Sequence, residues 1–145
     1  DSEVVAITVN NVNQAPILAA IGSQSVAEGA SLNFGVTATD ADGTNPTLTT
    51  STLPTNASFT DNGNGTGSFT FNPDFTQAGS FNVTFYATDG SIIDSEVVAI
   101  TVTNTNQAPI LTAIGSQSVA EGASLDDTSA VIQIGRAPRR ESERR

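Results

Sequence analysis

The sequence predicts an all-β fold, an antiparallel β-sandwich of about seven strands. Three observations point there. Val, Ile, Thr and Phe alternate with polar residues through most of residues 1–125, the period of two expected of half-buried strands. Clusters of Gly, Asn, Asp and Pro interrupt these runs at the spacing of a sandwich. No helical periodicity persists beyond a turn or two.

A repeat sets the domain boundaries. The stretch Asp1 to Leu32 returns as Asp94 to Leu125, an offset of 93 residues (94 against 1). Three positions differ: Asn10/Thr103, Val12/Thr105 and Ala19/Thr112. A near-verbatim copy at this period marks a tandem array of modules. Residues 1–13 then read as the last strand and linker of a preceding repeat. Residues 14–106 form one complete module, and 107–125 begin the next. The chain opens within a repeat and is expected to be a fragment of a longer protein. A module of this size buries a modest core.

The elements follow in order. Glu3 to Val9 reads as a strand ending at Asn10-Asn11. Gln14-Ala15-Pro16 is the linker, stiffened by proline. Ile17 to Ile21 and Gln24 to Val26 are short edge pieces, and Ala27-Glu28-Gly29-Ala30 is a turn. Leu32 to Ala38 alternates as a strand; Thr39 to Asn45 is a loop. Pro46 to Thr52 is a further strand, stopped by Pro54. Ala57 to Thr60 and Gly67 to Asn72 flank Asp61-Asn62-Gly63-Asn64-Gly65, a hairpin signal because Asn and Gly tolerate positive φ. Asn72 to Gly79 is a corner, and Phe81 to Ala87 is a strand. Glu96 to Val102 is the second copy of the first strand. The expected core is Phe34, Phe69, Phe71, Phe81 and Phe85 with Leu32, Val36, Leu48, Val83, Val98, Ile100 and Val102.

After Leu125 the pattern stops. Residues 126–145 end in Gly-Arg-Ala-Pro-Arg-Arg-Glu-Ser-Glu-Arg-Arg and read as unrelated, disordered sequence. A further strand is possible at 131–133.

Charge narrows the function classes. The net charge is −10, and all five basic residues are Arg in the tail. Residues 1–125 carry eleven acids and no Lys or Arg. Such a surface repels phosphates, which disfavours nucleic acid and anionic lipid as partners. No apolar run is long enough to insert in a membrane. The chain has no His or Cys, so the usual bases, thiol nucleophiles and thiolate metal sites are missing. Asp40 and Asp42 lie too close together in a turn for a glycosidase pair. They suit a hard cation such as Ca2+, which takes oxygen ligands.

Four short motifs line up: ATDADG (Ala38 to Gly43), YATDG (Tyr86 to Gly90), NVNQAP (Asn11 to Pro16) and VAEG (Val26 to Gly29). In this order they resemble the cadherin-like and immunoglobulin-like repeats of large bacterial surface proteins. The stretch Gly67 to Gly90 resembles the second half of such repeats. The resemblance covers residues 1–125. It implies an immunoglobulin/cadherin-like sandwich at the cell surface or outside the cell. It implies a non-catalytic spacer or adhesion role and Ca2+ at the module junctions. Its implied ligands are Asp40, Asp42 and Asp89, with Glu28 (and Glu121 in the second copy) matching the acid of the first turn. Asp74 is the nearest match to a further acidic motif. In the linkers this chain departs from cadherins. Asn11, Asn13 and Gln14, then Asn104, Asn106 and Gln107, replace a mixture of Asp and Asn, so affinity should fall.

Alternating strand directions give the same grouping. The loops at 39–45 and 88–94 lie where the linker comes in, so Asp40, Asp42 and Asp89 gather beside Asn11 and Asn13. The turn at 27–30 and the corner at 72–79 lie where it leaves, so Glu28 and Asp74 gather beside Asn104 and Asn106. Each site needs its other half from a neighbouring module. Expected partners are neighbouring modules and a cell-surface protein or glycan. The competing reading is a carbohydrate-binding or accessory module of a secreted polysaccharide-degrading enzyme. Such a module needs a row of exposed aromatics, and Tyr86 alone is a weak substitute.

The duplication also sets up a competition. Residues 3–9 and 96–102 suit one sheet position; 17–26 and 110–119 suit another. Continuity with the complete module predicts that 96–102 and 17–26 win.

Overall fold

Alternation sorts the chain into two four-stranded sheets. The computed structural model describes residues 1–123 in two units, Asp1–Ala108 and Pro109 onward. The first unit holds every strand of the described residues: β1 (Ile17–Leu18), β2 (Gln24–Ala27), β3 (Leu32–Thr39), β4 (Thr47–Thr50), β5 (Ala57–Asp61), β6 (Thr66–Phe71), β7 (Gly79–Thr88) and β8 (Ile93–Thr103). One sheet has the order β1-β3-β6-β5, the other β2-β8-β7-β4. All pairings are antiparallel except β2 on β8. The expected sandwich is present, with eight strands because the first strand is split between the sheets.

The inward positions of both sheets meet in one core. Phe71, Val83, Phe85, Val98 and Ile100 are fully buried, and Phe69 and Val36 nearly so. Phe85 lies at the centre, edge-on to Phe34, Phe59 and Phe69 at 5.5–5.8 Å between ring centroids. Phe34 stacks on Phe69 at 4.7 Å. Edge-to-face pairs of this kind add about 0.5–1.5 kcal/mol beyond their buried area. All twelve expected core residues are buried or packed against the core. Leu18, Ala38, Ala87 and Phe59 join them. Phe59 is admitted by Gly67, where a Cβ would run into its ring. The whole core lies between Leu18 and Val102.

The split of the first strand has a specific chemical support. Asp94 and Glu96 occupy inward positions of β8, in line with Val98, Ile100 and Val102. Asp94 Oδ2 accepts from Leu18 N at 2.8 Å. Glu96 Oε2 accepts from Ile21 N at 2.8 Å, and its Oε1 from Gly22 N at 2.9 Å. Leu18 N lies on the open edge of β1, and the amides of Ile21 and Gly22 belong to the segment that crosses from one sheet to the other, where no ladder partner is present. Unmet, each would cost about 1–3 kcal/mol if buried. Asp61 does a similar job on an edge, where its Oδ2 accepts from Leu48 N at 3.1 Å and its Oδ1 from Gly63 N at 3.0 Å in the hairpin turn.

The competition between duplicate strands resolves as expected. Residues 96–102 and 17–26 hold the sheet positions. The expectation that Glu3 to Val9 is itself a strand fails: it makes no ladder, and Val4 and Val9 are 94% and 89% exposed. Residues 110–119 form no strand either. The cause is the absence of a pairing partner, since the same residues at 96–102 form β8. The tail and the strand considered at 131–133 lie outside the described residues.

The duplication supplies matched controls. Ile100→Ala is expected to cost about 2–5 kcal/mol in chemical denaturation, and Ile7→Ala under about 0.5 kcal/mol. Glu96→Ala should likewise destabilise by about 2–4 kcal/mol through two lost charge-assisted bonds, and Glu3→Ala by almost nothing. Equal losses within either pair would mean that residues 3–9 share the sheet position.

Candidate functional site

The site is read from the two ends of the sandwich, where the linkers arrive and depart. At the upstream end, the β3–β4 and β7–β8 loops flank residues 13 and 14. ATDADG forms a tight loop because Asp40 Oδ1 caps the turn, accepting from Asp42 N at 2.7 Å. Asp is suited to this because its short side chain reaches a backbone amide two residues on. Asp42 Oδ2 in turn accepts from Gln14 N at 2.6 Å. In the other loop, Asp89 Oδ1 accepts from Ser91 N and Ile92 N at 2.6 and 2.7 Å. Asp89 Oδ2 accepts from the Asn13 side-chain amide at 2.8 Å. Asp42 and Asp89 thus both hold the incoming linker, and Asp40 braces the loop that carries Asp42.

Two electrostatic features stand out here. The amides of Ile92 and Ser91, then the Asn13 side chain, hold the Asp89 carboxyl below its ordinary value. Asp40 Oδ2 is buried and meets no donor. A desolvated carboxylate oxygen without a donor is costly unless a positive group satisfies it. Residues 1–123 contain no Lys or Arg. Asn11 is exposed.

At the downstream end, Glu28 is 4% exposed. Its Oε1 accepts from Ala78 N at 2.8 Å and its Oε2 from Thr105 N at 2.9 Å. The Thr105 hydroxyl donates to the Glu28 carbonyl at 3.1 Å. Glu28 therefore ties the departing linker to the start of β7. Asp74 lies in the corner beside it, where Pro73 O accepts from Gly29 N at 2.8 Å. The Thr76 hydroxyl and then the Thr76 amide bind Asp74 Oδ1 at 2.7 and 2.8 Å and hold its carboxyl below the ordinary value. Asn104 and Asn106 are exposed.

At the upstream end Asp42 and Asp89 meet Gln14 and Asn13, and at the downstream end Glu28 meets Thr105, in each case through hydrogen bonds to amides; Asn11, Asn104 and Asn106 touch none of the expected acids. Among the described residues no three carboxylates converge to hold a metal ion. The sequence reading of the ends included Gln14 for its side chain, whereas its backbone amide makes the contact, and it missed Thr105, which replaces Val12 of the first copy. Asp94 and Glu96 escaped as structural anchors. Their signal was a period of two that begins with acids and continues inward as Val98, Ile100 and Val102.

Comparison with solved structures agrees on the fold. An endo-fucoidan hydrolase of glycoside hydrolase family 107 matches with a TM-score of 0.56 at 18% identity, covering 68% of this chain. This chain spans only 15% of that hydrolase. A chimeric titin matches with a TM-score of 0.51 at 20% identity, covering 65% of this chain and 99% of the titin chain. A single titin domain matches with a TM-score of 0.50 at 15% identity, over 65% and 99%. At these identities the likeness is one of fold. No curated protein sequence matches the chain. The profile of the bacterial Ig domain family, by contrast, matches residues 13–103, the stretch that carries both sheets and the incoming linker. The chain belongs to the bacterial Ig domain family.

Proposed function

We propose that this chain is a spacer or adhesion module from a tandem array, outside the cell or on its surface, with Ca2+ stiffening the module junctions. Membership in the bacterial Ig domain family supports the broad part, a non-catalytic repeat or accessory module. The duplicated junction supports the array.

The observation that carries the cation is the buried, partnerless Asp40 Oδ2 beside Asp42, in a region with no basic residue. The donors suit a hard cation chemically: carboxylates from Asp40, Asp42 and Asp89, and amide oxygens from Asn11 and Asn13. Ca2+ takes about six to eight oxygens, so a site here draws further oxygens from a preceding module or from water. Asn104 and Asn106 would contribute in the same way downstream. Asp89, Glu28 and Asp74 are poorer donors than Asp40, because amides and a hydroxyl already engage their oxygens.

A second reading is an accessory module of a secreted polysaccharide-degrading enzyme. It is favoured by the fold match to part of an endo-fucoidan hydrolase. Against it, Tyr86 is half-buried and Phe75, at 51% exposure, stands without an aromatic row.

Calcium titration followed by thermal melting tests the first reading. The melting temperature is expected to rise with Ca2+ and to become insensitive in Asp40→Asn/Asp42→Asn. No response to millimolar Ca2+ would remove the metal from the proposal. Retarded migration in gels containing polysaccharide would move the assignment to the second reading.

The depressed Asp89 carboxyl adds a pH test. Its folded value lies below the ordinary 3.8, so its contribution is complete above that value and is lost as pH falls through the lower one. The Asn13 side-chain amide signals in NMR should hold steady as pH falls towards 3.8 and shift only below it. A midpoint above that value would mean that the Ile92 and Ser91 amides and the Asn13 side chain do not hold the carboxylate as described.

A further inference from the structure

The two ends of this module show two halves of one junction. The linker sequence occurs twice, as Asn10 to Pro16 and as Thr103 to Pro109. In the first copy it is seen coming in, and Asp42 and Asp89 of the following module hold it. In the second it is seen going out, and Glu28 of the preceding module holds it. Both copies adopt the same local fold-back. The Gln14 side chain donates to Val12 O at 3.0 Å, and the Gln107 side chain donates to Thr105 O at 3.3 Å. The two views can therefore be laid over one another residue by residue.

We infer that in the array each linker is gripped by both neighbours at consecutive residues, through carboxylate hydrogen bonds that need no metal. Thr105 is held by Glu28 of its own module. Asn106 corresponds to Asn13, and Gln107 to Gln14. The next module's Asp89 equivalent takes the Asn106 side chain, and its Asp42 equivalent takes the Gln107 amide. Pro109 follows, corresponding to Pro16, which is fully buried. No linker residue is left between the two grips. The hinge shrinks to the backbone torsions joining Thr105 to Asn106.

The grips also explain one of the three differences between the copies. Thr105 adds a hydroxyl bond to the Glu28 carbonyl that Val12 cannot make. A Thr junction is therefore held by one more bond than a Val junction. In this arrangement the next module is the ligand of an end surface, and its specificity is for the peptide Thr/Val-Asn-Gln.

This inference rests on the tandem reading but not on Ca2+, and the test separates them. The core lies wholly between Leu18 and Val102, so residues 14–106 can be repeated as a folding unit. Two copies joined directly reproduce the linker from Thr103 to Pro109. The chain has no Cys, so Ser68→Cys on the exposed face of β6 places one spin label on each module. Pulsed electron paramagnetic resonance in EDTA should show a single narrow inter-label distance distribution. Asn106→Ala in the joining linker should broaden it by about twofold, as a released flexible linker allows. Thr105→Val should broaden it less, and both changes are at positions outside the core. A distribution already broad in EDTA that narrows on adding Ca2+ would overturn the metal-free grip while leaving the calcium junction standing. A broad distribution with and without Ca2+ would overturn both. No change in Asn106→Ala combined with Asp42→Asn in the second copy would overturn the grip by the following module.

Discussion

The structure depends on carboxylates answering backbone amides in a chain with no side-chain cation to pair them. Residues 1–123 hold no Lys or Arg, so an acid there has only neutral N–H and hydroxyl donors for partners, and near the core these are backbone amides. Asp94 and Glu96 take the amides of Leu18, Ile21 and Gly22. Glu28 takes those of Ala78 and Thr105. Bonds to a charged acceptor contribute about 1.5–3 kcal/mol each. They are placed where sheet ladders stop: at the crossover of the first strand, at the start of β7 and at the exit of β8. The sandwich closes because these gaps in the ladder are filled by side chains.

The duplicated sequence separates what is local from what is not. Ala-Glu-Gly-Ala makes the same turn in both copies. Ala30 N meets Ala27 O at 3.1 Å and Ala123 N meets Ala120 O at 3.1 Å, with positive φ at Gly29 and Gly122. The strands behave otherwise. Residues 96–102 form β8, while the matching 3–9 form nothing regular. Gly22 lies in the left-handed region where Glu96 holds its amide; Gly115, its copy, does not. Turn chemistry is written in a few residues, but a strand and its crossover exist only with a neighbour to bond.

That distinction explains what could be read from the sequence. The alternation of Phe69 and Phe71, or of Val83 and Phe85, assigns their inward faces with no tertiary knowledge. The hairpin at Asp61 to Gly65 needs only its own residues. Glu3 to Val9 was misread because its pattern is that of β8, and pattern cannot report whether the position is taken. Phe59 against the core depends on Gly67, which lies diagonal to it across β5 and β6 and leaves room for its ring. The grouping of Asp40, Asp42 and Asp89 at one end followed from strand direction alone. What their oxygens bind did not, because the donors are main-chain amides, and every residue but proline carries one.

The distribution of charge then sets how such modules meet. On the strands, the outward positions are neutral among the described residues: Thr37 and Thr39 on β3, Ser68 and Thr70 on β6, Asn82 and Thr84 on β7, Ala99 and Thr101 on β8. The acids of the sandwich lie in the end loops or at inward or edge positions of the strands. Two modules side by side would bring together uncharged hydroxyl-bearing faces with no charge pairing to fix an orientation. Two modules end to end bring carboxylates onto linker amides, which are directional and few. Unpaired acids at the ends also repel any end that arrives without its linker. Like charge therefore discourages wrong contacts, and the linker's N–H groups license the correct one. In the proposed array, the negative charge that marks this chain in composition would serve to join modules in series.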